Sequence, residues 1–501
     1  MIMCEMIKRR LSRVASVVGL LFLLSVPFRT DAQETYYSFA DVDGDGSVSI
    51  ADLIVVIDCI LDGGNTGAVN PNTGYLSARE YGAVGDGVTD DTDALERLFE
   101  DAFELKKAAF FEPGTYLIRR SLTLRTGMEI YGNEATITKA KAVTTSLSVA
   151  APVGQKFIDV VNAGSFSAGD QICITYPDQA NQCTYGIIDS IAQNRIYFTN
   201  IISDVQPDFP GCVRSHTAGT KVSTSFALLR SWSPRFDCDG VYIHDLTLDG
   251  NRASSEPKSW ANSCIHLDAY YPGGYSNSTT GIPYKHPQRN MVLRNLVIRN
   301  SSHDAISDQG ESGLIVTDCD ISNSAMHGVH LGTRYFNALI SNNKMTGNGT
   351  IGAGVFLCQD VTDVVVDNNE ITSFNHGCSD EEFANCGKFV IIRNNRFKNI
   401  TGYVFDFLKA TSSSRGGGLQ IYDNKIEDLN TVMFSGDYLD NLIVSNNVVE
   451  SVAKVPSKLI NAVQSKNVII TGNTLPAEVT IETPVVSTST INLIDASNSW
   501  N

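Results

Sequence analysis

From Leu248 to Leu475 the chain alternates short apolar bursts with corners rich in Asn and Asp. The apolar residues that close these corners are Leu248, Ile298, Ile321, Met345, Ile371, Phe397, Ile426, Val449 and Leu475, at successive separations of 50, 23, 24, 26, 26, 29, 23 and 26 residues. The corners read Asp318-Cys319-Asp320, Asn342-Asn343, Asn368-Asn369, Asn394-Asn395, Asp423-Asn424, Asn446-Asn447 and Gly472-Asn473, beside β-branched segments such as Val364 to Val366 and Val468 to Ile470. A period in the low to middle twenties with an Asn at a fixed corner is the length of one solenoid coil. A single coil cannot bury its inward side chains. Coils stacked in register make one continuous core and let the turn asparagines bond along the stack. Leucine-rich repeats share the period, but their leucine consensus and helical half are missing here. The separation of 50 predicts one coil plus an inserted loop, placed at Trp260 to Gln288.

Upstream the pattern changes. Ala94, Leu95, Leu98, Phe99 and Ala102 recur at helical spacing, and short apolar strands follow around Leu122 to Leu124 and Met128 to Ile130. Between Lys139 and Phe226 the repeat fades into short alternating strands around tight turns, such as Phe166-Ser167-Ala168-Gly169-Asp170, which predicts a small β-rich insertion.

The block Ala78 to Thr92, with its glycines at Gly82, Gly85 and Gly87, and the block Ala109-Phe110-Phe111-Glu112-Pro113-Gly114-Thr115-Tyr116 carry a resemblance. Together they resemble the N-terminal region of pectate-lyase-superfamily and glycoside hydrolase family 28-like β-helix proteins, and of many phage tailspikes. The resemblance implies an all-β fold, a right-handed parallel β-helix with an N-terminal capping helix. It also makes the glycine-rich loop a structural turn, in keeping with the absence of a following Lys-Ser/Thr for a phosphate cradle. The family 28 polygalacturonase motifs are not met in full. Met326-His327-Gly328 is a partial echo of Gly-His-Gly, no paired aspartates precede it in that form, and no Arg-Ile-Lys follows.

At the N-terminus Lys8, Arg9 and Arg10 precede the apolar run Val14 to Leu24, and small residues near Asp31-Ala32-Gln33 suit a signal peptidase. The expectation is a signal peptide over 1–32 and a protein that is secreted, periplasmic or at the cell surface, with no membrane span. Cleavage after Ala32 removes five basic and two acidic residues, taking the formal charge from -17 to -20 and excluding a nucleic-acid partner. Asp41, Asp43, Asp45, the carbonyl of Ser47 and Asp52 fall at the loop positions that wrap one Ca²⁺, with Gly46 at the sharp turn. These residues resemble one repeat of a dockerin, a module that carries two. The resemblance implies calcium-stabilised folding over 36–64 and a possible scaffold or cell-surface partner, followed by a linker over 65–76. The remaining expected divisions are a lead-in and cap over 77–138, the insertion over 139–228 and coils over 229–501, in a monomer. Cys378 with Cys386, and a pair among Cys173, Cys183 and Cys212, are candidate disulfides, with buried thiols as the alternative.

Six of the eight histidines lie between His244 and His330, and stacking would bring them together. Taking Ile306, Val329 and Val355 as equivalent inward positions sets Asp304 beside His327, and His266, Ser307 and His330 on one outward ladder leading to Phe356. The candidate catalytic residues are therefore His266, His303, Asp304, Asp308, His327 and His330. A histidine beside a carboxylate suits proton abstraction or activation of water, and Asp304 with Asp308 would suit a two-carboxylate glycosidase. Lys285 and Arg334 are candidates for a substrate carboxylate, and Trp260, Tyr270, Tyr271 and Tyr335 for sugar rings. His376 and Asp406 read as ordinary surface or turn positions. The function expected is a polysaccharide lyase or glycoside hydrolase acting on a pectin- or uronan-like polymer, the alternative being a non-catalytic glycan-binding or adhesin β-helix.

Overall fold

The computed structural model describes residues 74–174, 183–202, 211–212, 214–231, 238–254, 262–268, 288–309, 311–332, 335–358, 361–380, 388–408 and 415–500. The expected signal segment, the expected calcium loop with Asp41, Asp43, Asp45, Ser47 and Asp52, and the expected linker as far as residue 73 lie outside these residues; the linker's last residues instead enter Tyr75–Ser77, the first strand of the first sheet. Trp260, Tyr270, Tyr271, Lys285 and Arg334, and the side chain of Tyr335, also lie outside the described residues.

Three parallel sheets run the length of the described chain, and each coil contributes one strand to each in turn. One coil reads Glu311–Thr317 in the first sheet, Asp320–Ser322 in the second and Val329–Leu331 in the third. The next returns to the first sheet with Tyr335–Ser341. The main path of the first sheet has 13 strands, and the other two sheets have 11 each. The apolar residues that mark the repeat pair directly: Leu248 with Ile298, Ile298 with Ile321, Ile321 with Met345, and so on to Ile426 with Val449. All of them are buried. The 50-residue separation is thus a single coil carrying an insert. A second column, Leu293, Val316, Ile340, Val366, Ile392, Ile421, Val444 and Ile470, lines the interior from the first sheet. Each such burial is worth about 1.5–3 kcal/mol relative to exposure.

The Asn corners hold this register. Asn343, Asn369, Asn395, Asn424, Asn447 and Asn473 are buried one above another. Each backbone N–H donates to the next Asn side-chain oxygen, at 2.9 Å for Asn343 to Asn369 and 3.0 Å for Asn395 to Asn424. The Asn395 Nδ2 also donates to the carbonyls of Val366 and Arg393, at 2.9 and 2.8 Å. The residue before each ladder Asn takes a left-handed conformation, as Asn342, Asn368 and Asn394 do at φ 58°, 54° and 55°. Asn tolerates that region better than other chiral residues, which is why the corners read as Asn pairs.

The helix α1, Thr92–Leu105, covers the first coil with Leu95, Leu98, Phe99 and Ala102 buried. Asp91 accepts the N–H groups of Val84 and Gly85 at 2.6 and 3.0 Å, so the glycine-rich loop is a structural turn. Between Ala135–Lys139 of the second sheet and Leu229–Arg230 of the third, the chain leaves the solenoid. There it builds a six-stranded antiparallel sheet from Thr144–Ser146 to Lys221–Thr224. That sheet has its own core of Leu147, Ile158, Ile172, Ile188, Ile196, Phe198 and Val222. Cys212 and Cys378 are buried free thiols, so for Cys378 the buried-thiol alternative replaces the candidate disulfide with Cys386. No helix among the described residues is long and apolar enough to cross a membrane.

Replacing Asn395 by Leu strands the Asn369 N–H and the carbonyls that Asn395 serves, at about 1–3 kcal/mol for each buried group. Asn394→Gly, one residue away at the left-handed position, is expected to change stability little. Denaturant unfolding of the two variants checks this; equal losses would show that the ladder does not hold the coils.

Candidate functional site

The third sheet carries the candidate chemistry. Its inward column, Ile265, Ile306, Val329, Val355, Cys378 and Phe405, belongs to the core. One residue further along each strand, the opposite face forms a row: Arg230, His266, Ser307, His330, Phe356, Ser379 and Asp406. Successive members sit about 4.8 Å apart, so residues a full coil apart in sequence become neighbours.

Asp304 is the centre of the cluster and is fully buried. Its Oδ1 accepts the backbone N–H of His327 at 3.1 Å, and its Oδ2 lies 2.9 Å from His330 Nδ1 and 3.1 Å from His303 Nδ1. Burial by itself would raise the pKa of Asp304. The imidazoles of His303 and His330 outweigh it and hold the carboxyl well below the usual carboxylate range. With its Nδ1–H directed at Asp304, a neutral His330 carries its lone pair on Nε2. That atom is enclosed and has no hydrogen-bond partner among the described residues.

His327 has the opposite polarity. Its Nδ1 accepts the Ala353 N–H at 3.0 Å, which leaves the proton of the neutral ring on Nε2. Gly352 makes this contact possible, because at φ 85° a Cβ there would collide with the Met326 carbonyl. Burial pushes the His327 pKa down to about 3, so the ring is a neutral N–H donor across the physiological range. It stacks on Phe356 at 4.1 Å between centroids, and the edge of His330 meets the same ring at 5.0 Å.

Ligand atoms of Asp304, His327 and His330 lie within 4.8 Å of one another, the spacing of a metal centre. The tautomers do not fit one. A ligating imidazole needs a lone pair toward the ion and usually donates its other N–H to an acceptor, whereas His327 Nδ1 accepts a backbone N–H. Proton transfer and hydrogen bonding suit the trio better.

Two other candidates stand apart. Asp308 pairs with Leu267 and Leu331, on the same strand face as Ile306, and is an electrostatic neighbour of the buried Cys238. It therefore shares the apolar interior column, away from the row of His330. His266 is on the row but fully buried, and burial, followed by the charge of Arg230, takes its pKa well below the ordinary imidazole value. His376 and Asp406, read from the sequence as ordinary surface or turn positions, come together further along, with His376 Nδ1 3.5 Å from Asp406 Oδ2. Their only sequence signal is the alignment of Asp406 with Ser379, Phe356 and His330.

The chain matches two family models: "Rhamnogalacturonase A/epimerase, pectate lyase-like" over residues 75–202 and "Right handed beta helix region" over residues 280–414. The fold is a right-handed parallel β-helix. Among curated proteins the chain is 40% identical over 58 residues to a glucan 1,3-beta-glucosidase of Cochliobolus carbonum, a match that covers 12% of this chain and 7% of that protein. It is 42% identical over 57 residues to the non-secreted LysM effector LysM19 of Penicillium expansum, covering 11% of this chain and 4% of that protein. The chain thus spans only a small part of the length of these curated relatives. Solved structures similar to this β-helix include the A-module of mannuronan C-5 epimerase AlgE4 from Azotobacter vinelandii, at 13% identity and TM-score 0.41, covering 85% of this chain and 99% of that one. The surface adhesin PfbA of Streptococcus pneumoniae is similar at 13% identity and TM-score 0.46, covering 85% and 90%.

Because His266 and His327 have lowered pKa values in the fold, the unfolded chain takes up their protons first as pH falls. Their contribution to stability is complete above the ordinary imidazole value of 6.5 and declines as the pH drops from there toward about 3. Melting curves between neutral pH and pH 4 should show this decline. ¹⁵N spectra of histidine-labelled protein should show His327 as a neutral Nε2–H ring throughout; its protonation near pH 6.5 would contradict the buried acceptor geometry.

Proposed function

We propose that the protein is a polysaccharide-acting enzyme whose substrate is a pectin- or uronan-like polymer, and that His330 moves the proton. The observation that carries this reading is the buried Asp304 carboxylate, held between His303 and His330 beside a neutral N–H donor at His327. Asp304 fixes the His330 tautomer and stabilises the imidazolium that forms when Nε2 accepts a proton. The His327 Nε2–H is the group to donate to a sugar carboxyl or oxygen as charge develops on it. This arrangement favours abstraction of a proton from a uronate carbon, as in a lyase or epimerase. A two-carboxylate hydrolase needs both carboxyls to flank one glycosidic bond, and Asp308 shares the interior column instead.

The second reading is a non-catalytic glycan-binding or adhesin β-helix. It is favoured by one observation, the enclosure of His330 Nε2. The two readings separate on polygalacturonate and alginate, with the absorbance of unsaturated uronides, the release of reducing ends and the ¹H NMR spectrum of the polymer, which registers epimerisation, followed together. His330→Ala and Asp304→Asn are each expected to lower kcat/KM by about 10²–10⁴. An unchanged rate in His330→Ala on a substrate that the native protein turns over rejects the assignment, and binding without turnover by the native protein supports the second reading.

We also propose that Asp41, Asp43, Asp45, the Ser47 carbonyl and Asp52 hold Ca²⁺, on the strength of their loop spacing. Calorimetric titration of the full chain with Ca²⁺ should give one binding event that Asp43→Ala abolishes. Survival of that event in the variant would remove the loop from consideration.

A further inference from the structure

The nitrogen that His330 would use is shut away from solvent. Its Nε2 is enclosed and has no hydrogen-bond partner among the described residues, although the side chain as a whole keeps 13% of its exposure. A nitrogen that takes a proton from a sugar has to be reached, so a neighbour must give way. Two rows of side chains show which one. Along the strands of the third sheet run Ser307, His330, Phe356 and Ser379; beside them, at the corner before each strand, run Asp304, His327, Ala353 and His376.

Phe356 occupies the rung directly after His330. Its ring stands 5.0 Å from the His330 ring at 84° to it, and lies flat on His327 at 4.1 Å and 15°. The two imidazoles are themselves 5.4 Å apart. One benzene ring therefore rests against both the acceptor and the donor of the site. Phe356 is half-buried, whereas Asp304, which the same imidazoles surround, is fully buried.

The ring also has somewhere to go. The next member of its row is Ser379, and its same-face neighbours on its own strand are Gly354 and Cys358. All three are small, so no large side chain at these positions opposes a turn away from His330. Side-chain rotamers are separate wells, and aromatic contacts add only modestly to the area they cover, so the ring is held against the imidazoles without being locked there.

We propose that Phe356 is a gate over the proton-transfer site: its ring rests on His330 and His327, and turns toward Ser379 to open the His330 Nε2 to the sugar. The gate rests on the reading of His330 as the group that moves the proton, and it gives the enclosed nitrogen a route to substrate. Closure keeps water from the buried Asp304 carboxylate between turnovers. Opening frees one acceptor only, because His327 Nδ1 remains bonded to the Ala353 N–H.

The test is the reactivity of each histidine toward diethyl pyrocarbonate in the full chain, followed by peptide mass spectrometry, which needs no turnover. Phe356→Ala is expected to speed modification of His330 at least 10-fold. The rate at His303, whose side chain keeps 16% of its exposure, should stay unchanged and serves as the internal reference. Ser379→Leu fills the space into which the ring turns, and is expected to slow modification of His330 at least 3-fold with Phe356 in place. On any polysaccharide that the native protein turns over, Ser379→Leu should lower kcat/KM by a similar factor. Circular dichroism and melting curves establish that both variants fold. Equal His330 rates in native protein and Phe356→Ala, an unchanged His330 rate in Ser379→Leu, or acceleration of His327 as large as that of His330 would overturn the gate. The expected reactivities in a protein that turns over no polysaccharide would support the gate and count against the proton-transfer reading alone.

Discussion

Everything that brings the site together depends on register, the requirement that each coil settle directly over the one before it. A parallel pair of strands has no local turn to set its alignment, and a slip of one residue would turn every inward side chain outward. The buried asparagines remove that freedom. A side-chain amide that accepts from the preceding rung and donates both to a carbonyl of that rung and to one of its own corner is satisfied in one alignment only, as Asn395 shows with Asn369, Asn424, Val366 and Arg393. The apolar columns supply the stabilisation and the amides supply the uniqueness, because hydrophobic contact alone tolerates sliding and an orphaned buried amide does not.

Much of this was legible because both devices recur at one sequence interval. The apolar residues Leu248 to Val449 pair in space in their order along the chain, and the shared position of Ser307, His330 and Phe356 follows from the same arithmetic. Direction was harder to read. Asp304 and Asp308 are four residues apart and look alike in sequence, yet a corner separates them: one carboxyl meets His330, and the other shares a column with Leu267 and Leu331. Periodicity reports position along a coil but not the local twist that points a side chain up or in. His376 and Asp406 are hidden in the sequence for a related reason. They are 30 residues apart and belong to different rows, so no single interval links them, and only the crossing of the two rows does.

The electrostatics of the site follow from depth. One carboxylate is retained in a dry position because two imidazoles reward its charge, while the neighbouring His327 is kept neutral by the same dryness. Burial favours the neutral form of both groups; the flanking imidazoles reverse this at Asp304 but not at His327, which sets a charged acceptor beside a neutral donor. The backbone takes part too, since the Ala353 N–H chooses which nitrogen of His327 keeps the proton.

The coil that joins Leu248 to Ile298 uses 50 residues where its neighbours use between 23 and 29, and Ile298 still lands on Leu248. The chain between two corners can therefore lengthen without disturbing the rungs on either side. Such an architecture separates inheritance of chemistry from inheritance of selectivity. Catalytic or binding groups fixed to the strands persist through descent, while the excursions between them are free to be exchanged, lengthened or lost, so one scaffold can be retuned to a new glycan without rebuilding its interior.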